Sequence, residues 1–312
     1  MNKALVTGAN GFVGSHLVRA LLSAGVAVRA FVRPSSRLES LEGLDVEVFP
    51  GDLLDFRSIR AALEGCDACC HLAAAYSRPD PAEIYRVNVE GTRAALRAAS
   101  DGALRAFLYA STIGTLRGRG RAAARETDAC LPPGASPYVR SKYEAELLVR
   151  AAAREGLPAL IAHLAAPVGS WDWTPTVTGR RILAVLAGSM PPYARRAIHH
   201  APVRDVAAGF PLAAERGEPG KDYIFGRVGG NLTRGAFVRL VAAAAGIPPP
   251  RAGRLDPFRR WLRRLRGRKD PGVPDDLSCD PSWSVAALGL PQSPLEEAFA
   301  EAVAWFRSRG MA

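Results

Sequence analysis

Val6-Thr7-Gly8-Ala9-Asn10-Gly11-Phe12-Val13-Gly14 is the stretch on which the fold turns. It follows a short apolar run, Ala4-Leu5-Val6, and passes straight into a helical pattern of Phe12, Val13, Leu17, Val18, Leu21 and Leu22. Strand, glycine turn and helix in that order put the free N–H groups of a helix N-terminus where a pyrophosphate can meet them. Glycine reaches positive φ and has no side chain to hold phosphates away. The spacing is Gly8-x-x-Gly11-x-x-Gly14 rather than the common G-x-G-x-x-G. The signal comes from position: the turn sits at the first strand–helix junction, with β-rich sequence directly after it.

Working outward, Val26 to Arg33 reads as a second strand, ended by Pro34. The residue at this strand's end meets the adenosine ribose, where an acid suits NAD and an arginine suits the 2′-phosphate of NADP. Arg33 stands there, with Ser35, Ser36 and Arg37 just beyond and no acid before Glu39. The pattern favours the 2′-phosphate, and solvated loop charge is the alternative reading of these arginines. Asp45 to Phe49 is a third strand, followed by Gly51-Asp52-Leu53, where Asp52 either accepts from an adenine amino group or closes a turn. Cys66 to Ala75 is a fourth strand running into small residues that let a backbone approach a flat ligand. His71 within it reads as a packed strand-end residue rather than a catalyst.

Pro81 to Ala99 is a long helix carrying Asn88, a poor mid-helix residue whose presence points to a specific hydrogen-bonding task. Ala106 to Thr112 is a fifth strand with hydroxyls at its carboxyl end, the end where open α/β sheets hold ligands. Pro158 to Leu164 is a sixth. This alternation predicts an α/β, Rossmann-type doubly wound parallel sheet. Beyond Pro167 the regularity stops. Aromatic and Pro-rich loops alternate there with helices near 179–187, 203–214, 233–245 and 257–266. Ser293-Pro294-Leu295-Glu296 reads as a capping box before an amphipathic helix with Phe299, Val303 and Phe306. The expected division is a dinucleotide-binding domain over 1–166 and a smaller, mostly helical substrate domain over 167–312, with segments returning to the main sheet.

The 312 residues are enough for a large core, and 48% apolar with 23% charged residues fits an ordinary globule. Five cysteines form no regular framework, so reduced thiols are expected. Cys66-x-x-Cys69 lacks the second pair of a zinc site, and no metal is expected. The first strand begins by Lys3, which leaves no room for a signal peptide, and no apolar run approaches the roughly 20 residues of a membrane span. A cytoplasmic location follows. Net charge is +11, of which Arg251 to Lys269 supplies +8, so the charge is local and does not by itself mark a nucleic-acid binder. Trp261, Leu262 and Leu265 interleaved with those arginines suit an interfacial helix and predict weak contact with anionic membrane through 251–269. A solvated helix face and a site for an acidic substrate are the other readings of this segment.

The chemistry concentrates in Ser136-Pro137-Tyr138-Val139-Arg140-Ser141-Lys142, which opens a helix with Pro137 in its first turn. Tyr138 and Lys142 are four apart and share a face. A free tyrosine, with a pKa of about 10, exchanges protons poorly at neutral pH. A nearby lysine cation favours the phenolate and moves it toward the working range. Thr112, at the end of the preceding strand, can hydrogen-bond a carbonyl or alkoxide oxygen. Hydride then passes between substrate carbon and nicotinamide while Tyr138 handles the proton.

Together the glycine turn, Asp52, His71-Leu72-Ala73-Ala74, Asn88 and Tyr138 to Lys142 resemble the extended short-chain dehydrogenase/reductases over nearly the whole chain. Val28 to Arg33 looks like the dihydroflavonol-4-reductase branch. Pro175 to Arg180 and the stretches Leu288 to Pro291 and Trp305-Phe306 are similar to bacterial hopanoid-associated sugar epimerase-like proteins. The resemblance implies Thr112, Tyr138, Lys142 and Asn88 as catalytic. It implies Thr7, Gly8, Asn10, Gly11, Phe12, Val13, Gly14, Arg33, Arg37, Asp52, Leu53, Leu72, Ala73, Ala74, Ala165 and Val168, with Tyr138 and Lys142, as cofactor-binding. Threonine replaces the family's usual serine at 112, and Leu164-Ala165-Ala166 lacks the hydroxyls that many members carry there. The leading expectation is an NADPH-dependent reductase or dehydrogenase of a carbonyl or secondary alcohol, with NAD as the other cofactor. The alternative is a nucleotide-sugar epimerase or dehydratase holding NAD tightly, and the least favoured is a non-catalytic cofactor-binding protein. A small-molecule substrate is implied, no nucleic acid, and a homodimer is left open.

Overall fold

The computed structural model describes residues 1–76, 80–120, 122–250 and 276–312. Its strands, in chain order, are β1 (Lys3–Thr7), β2 (Ala27–Val32), β3 (Glu47–Pro50), β4 (Ala68–His71), β5 (Ala106–Thr112), β6 (Ala159–Leu164), β7 (Ala166–Val168), β8 (Ile198–Pro202), β9 (Asp222–Phe225) and β10 (Asn231–Leu232). Seven of them form one sheet in the order β3-β2-β1-β4-β5-β6-β9. Every neighbouring pair in it is parallel. The order reverses between β1 and β4, which opens a crevice at their carboxyl ends, the ligand position of doubly wound sheets. β10, β8 and β7 make a second, smaller sheet.

A parallel sheet is covered on both faces, so its strands are apolar throughout. Ala4 and Val6 point to one face, where Leu17, Val18 and Leu21 of α1 (Phe12–Ser23) join them in one core. Leu5 points to the other, toward Ile59 of α2 (Phe56–Leu63), then past α3 (Pro81–Tyr85) to Leu96 of α4 (Gly91–Ser100) and Val149 of α5 (Pro137–Arg154). The helices after β6 are α6 (Val177–Leu186), α7 (Val203–Arg216), α8 (Arg234–Ala245), α9 (Ser282–Leu288) and α10 (Leu295–Ser308). α7 returns to the first face, where Phe210 is fully buried. Leu288 of α9 joins that same core, and α6, α8 and α10 build a third around Ile182, Val185, Phe237, Phe299 and Phe306.

Three expectations change. The fourth strand stops at His71: Leu72 N makes the last ladder bond, to the Thr7 carbonyl (3.3 Å), and the Thr7 hydroxyl then takes Leu72 N (3.1 Å) and Ala73 N (3.2 Å), where β1 itself has ended. The helix expected over Pro81 to Ala99 contains a π turn, Arg86–Glu90, between α3 and α4. The capping box at Ser293 does not form: α10 begins after Pro294 without a side-chain cap. Ser293 instead binds Asp205 of α7, through N at 2.7 Å and Oγ at 2.8 Å, which ties the start of α10 to the sheet-covering helix. The helix expected near 257–266 and the basic segment Arg251 to Lys269 lie outside the described residues.

Candidate active site

The turn after β1 is built by backbone proximity. Gly8 has φ +69°, and a Cβ there would lie 2.9 Å from Ala73 N and Cα, so only glycine lets the ends of β1 and β4 come this close. A Cβ on Gly14 would lie 2.1 Å from the Gly8 carbonyl oxygen, so its absence seats α1 on the turn. α2, α3, α5, α6 and α8 are capped by Asp55, Asp80, Ser136, Thr176 and Thr233. α1 starts at Gly11 with no side-chain cap, which leaves the Phe12 and Val13 N–H groups facing the crevice mouth.

Asn10 acts as a latch. Its Nδ2 donates to the Arg37 carbonyl (3.1 Å), and its own carbonyl accepts from Ser40 Oγ (3.0 Å), which pins the loop after β2 against the turn. The Arg33 and Arg37 side chains on that loop are exposed and enter no ion pair among the described residues. Asp52 closes a turn, accepting from Leu54 N at 3.0 Å, the plainer of its two readings. Leu53 is buried, and a Cβ on Gly91 would lie 3.2 Å from it.

Thr7 and His71 are committed to each other. The Thr7 hydroxyl accepts from Leu72 N and Ala73 N, so its own proton goes to His71 Nδ1 (3.0 Å). His71 Nε2 then donates to Thr92 Oγ1 (3.1 Å), whose hydroxyl donates to the Asn88 carbonyl (2.6 Å). Burial, with the nearby Lys142 charge, pushes this imidazole down to about 3, so it is neutral and serves packing.

Tyr138 and Lys142 occupy the first turns of α5, beside the carboxyl end of β5. A Cβ on Gly114 would lie 3.1 Å from Val139 Cγ2 and 3.4 Å from Thr112 Oγ1, so the threonine hydroxyl and the start of α5 converge there. Thr112 Oγ1 accepts from Gly114 N (3.1 Å), which leaves its proton available for a substrate oxygen. Lys142 is 2% exposed; its Nζ lies 4.0 Å from the centre of the Tyr109 ring and has no hydrogen-bond partner among the described residues. Burial pushes the Lys142 amine down to about 7, with Glu146 pulling the other way. Against the expectation that Lys142 would bring the phenol toward the working range, the Tyr138 phenol is raised, by desolvation first and by Tyr76 in addition. The Tyr76 ring packs against the Tyr138 ring with centroids 4.6 Å apart.

Asn88, in the π turn, spends its whole amide on position. Its Oδ1 accepts from Ala75 N (2.7 Å), and its Nδ2 donates to the Ala75 carbonyl (2.9 Å) and to Ser141 Oγ (2.9 Å). It joins the loop after β4 to α5 and so sets where Tyr76 and Tyr138 meet.

One turn beyond Lys142, Glu146 is fully buried and accepts from the Ser111 and Thr115 hydroxyls, the latter at 2.6 Å. Arg150 Nη2 bridges Glu146 (3.1 Å) and Asp222 of β9 (2.5 Å), and His163 Nε2 of β6 lies 2.9 Å from the same Asp222 oxygen. Burial lowers the His163 pKa, but Glu146 and Asp222 outweigh it, and the net shift is upward. Sequence reading passed over this cluster and over Tyr76. The available signal was Glu146, which continues the Tyr138/Lys142 face at the next i+4 position.

The uncapped α1 start, the Gly8 cradle, the small residues Ala73 and Ala74 after β4 and the unpartnered Lys142 amine all fit a dinucleotide lying across the carboxyl ends of β1 and β4. Leu72 and Ala73 are half-buried and Ala74 is exposed at that crevice. Ala165 and Val168 are placed differently: both side chains are buried, in the first and third cores respectively, so only their backbones can face a ligand. All five cysteines are free, and burial raises the Cys69, Cys70 and Cys279 thiols out of nucleophilic range.

Residues 4–226 match the model of the NAD dependent epimerase/dehydratase family. The chain belongs to this family. Among epimerase/dehydratase-family relatives, it is 38% identical to sterol demethylase protein B of Methylococcus capsulatus, across 98% of this chain and 99% of that one. It is 34% identical to a Synechocystis protein provisionally named dihydroflavonol 4-reductase, across 98% and 94%. The solved structure of gox2253 superposes with a TM-score of 0.86 at 34% identity, covering 100% of this chain and 99% of that one. The epimerase/dehydratase-family protein described here is an NAD(P)-dependent oxidoreductase of the extended short-chain dehydrogenase/reductase type. Among its described residues, no helix is long and apolar enough to cross a membrane.

Proposed function

We propose that the protein is an NADPH-dependent reductase of a small-molecule carbonyl, interconverting it with a secondary alcohol. The single observation that supports this reading is the pair of groups on α5: a half-buried Tyr138 phenol held above its ordinary range by desolvation, one turn from a buried Lys142 amine lowered to about 7. A protonated phenol is the state that gives a proton to a carbonyl oxygen. When bound, the nicotinamide supplies the hydride. Thr112 donates a hydrogen bond to the oxygen that gains charge, Tyr138 holds the proton that oxygen receives, and the Lys142 cation offsets the cost of the phenolate left behind. Phe12, Val13 and the Gly8 turn would hold the pyrophosphate, and Lys142 the nicotinamide ribose.

The choice of NADPH rests on Arg33 and Arg37, exposed beyond β2 without a carboxylate partner among the described residues. A guanidinium fork matches a 2′-phosphate, and a charge-assisted contact contributes about 1.5–3 kcal/mol. Titrating nicotinamide fluorescence should show NADPH binding at least about tenfold tighter than NADH, with Arg33→Ala narrowing the gap. Equal or tighter binding of NADH, or NAD held through purification, would move the assignment to an epimerase or dehydratase. That second reading is favoured by the name of the matching family. Division of the chain at 166/167, a cytoplasmic location, a homodimer and weak contact of 251–269 with anionic membrane belong to the same proposal. Equal sedimentation with neutral and anionic vesicles at low salt would remove the last.

A further inference from the structure

Tyr109 stands opposite His71 in the β4–β5 register, so both rings leave the sheet on the face that α5 covers. The two rings pack close to parallel, with centroids 5.9 Å apart and planes 24° from one another. His71 is held at both nitrogens, by Thr7 (3.0 Å) and by Thr92 (3.1 Å). The Tyr109 ring is therefore fixed as well as fully buried. Lys142 Nζ lies 4.0 Å from the centre of that ring and meets neither a carboxylate nor a hydrogen-bond acceptor among the described residues. Glu146, the next acid on its own helix, is occupied by Ser111, Thr115 and Arg150. An ammonium stripped of water needs compensation, and the negative face of an aromatic ring supplies it. The ring does so without neutralising the ammonium's field, as a carboxylate in the same place would.

We propose that Tyr109 is a positioning residue whose ring face seats Lys142 and keeps it a cation in the free site. The inference rests on the reductase reading for what Lys142 does there, and it deepens that reading by naming the group that holds the charge. A ring seat leaves the ammonium desolvated and without an anion of its own, so its charge still favours a phenolate at Tyr138. The other titratable groups beside it are Tyr138 and Glu146 on α5 and the neutral His71 on β4. Burial lowers the Lys142 amine to about 7 with the ring in place, and an electron-poor ring there would lower it further. His71 and Thr7 carry the support of that ring back to the glycine turn.

The chain has four lysines, Lys3, Lys142, Lys221 and Lys269, so carbon-13 labelling of lysine in the full-length protein gives a spectrum simple enough to follow one of them. Lys142 is assigned by the signal lost in Lys142→Met, and its midpoint is read by NMR across a pH titration. The comparison is between Tyr109→Phe and pentafluorophenylalanine at the same position. These two rings have nearly the same shape, but fluorination reverses the electrostatics of the face, so packing is kept and the seat is lost. The Phe midpoint should stay within about half a pH unit of wild type, and the pentafluoro midpoint should fall at least about one pH unit below it. Equal midpoints in the two proteins overturn the proposal, as does a Phe midpoint that has already fallen by that amount. Should the pentafluoro protein not fold, 4-fluoro- and 3,5-difluorophenylalanine make the same comparison in smaller steps. Midpoints that do not fall with added fluorine then overturn it. The titration needs neither cofactor nor substrate. Failure of the wild type to bind NADPH, measured separately by fluorescence, removes the reductase reading and leaves the ring seat to be decided by the midpoints.

Discussion

Lys142 and Arg150 stand two turns apart on α5, yet one cation has lost its water without gaining a carboxylate contact. The other is clamped between Glu146 and Asp222. The Lys142 amine is lowered to about 7, whereas the Arg150 guanidinium is raised by those carboxylates against its burial. The two histidines on β4 and β6 repeat the contrast. Both are buried, but His71 meets only hydroxyls and stays neutral, while His163 meets carboxylates and holds its proton more tightly. One half of the site is left electrostatically unfinished, ready for ligand and proton. The half behind it is finished, and it fixes α5 to β6 and β9.

The largest expected effect falls on the unfinished half. Tyr138→Phe should cut turnover by about 10²–10⁴-fold with NADPH affinity nearly unchanged, because only the phenolic oxygen is removed. Lys142→Ala should damage both. Steady-state rates and fluorescence titration separate the two, and a Phe variant keeping more than about a tenth of the rate would place the proton elsewhere. The next effect compares stability. Arg150→Met, which takes from the buried Glu146 and from Asp222 the guanidinium they share, should cost about 3–5 kcal/mol in urea unfolding. Lys142→Met should cost nothing or raise the midpoint, since it removes a desolvated charge. Equal losses in the two variants would erase the distinction between the halves.

Acid gives a smaller and sharper test. His71, with its folded value near 3, loses stability for the protein as pH falls below 6.5, where the unfolded chain takes up the proton first. His163, raised on folding, contributes fully below 6.5, and that contribution is lost as pH rises through its folded value. Between pH 8 and 5 the destabilisation in His71→Gln should therefore shrink on acidification, and that in His163→Gln should grow. Urea midpoints across this range that move in parallel would contradict the assignment. The smallest effect connects the halves. If the cation of Lys142 is needed, kcat/KM for NADPH falls as pH rises through about 7, and Glu146→Gln should move that limb to lower pH because Glu146 supports the charge. An unmoved limb means Glu146 acts only on structure.

The sheet and the proton-handling pair were legible because both are local patterns. The glycine turn announces itself within nine residues, and Tyr138 and Lys142 share a face by spacing alone. Asn88 was half legible: its poor helix propensity announced a task, but Ala75 and Ser141 as partners depend on tertiary packing. Glu146 was half legible as well: its i+4 step puts it on the Tyr138/Lys142 face, but its burial against Ser111, Thr115 and Arg150 depends on tertiary packing. Ser293 misled for the same reason, because a partner 88 residues away in Asp205 outcompeted its own helix. Tyr76 falls in irregular sequence, where no period tells which way a side chain points.

The position of β9 at the sheet's edge also bears on the order of assembly. Asp222 is 59 residues beyond its partner His163, and β7, α6, β8 and α7 are synthesised between them. A chain emerging as far as α7 already contains Glu146, Arg150 and His163, with the Asp222 position empty. Closing such a long loop is a late and slow event in folding. Until β9 docks, the outer edge of β6 is a bare strand, open to pairing with another chain. The residues that give the mature protein its most fully satisfied charges thus mark the stage at which the nascent one is most exposed to misassembly.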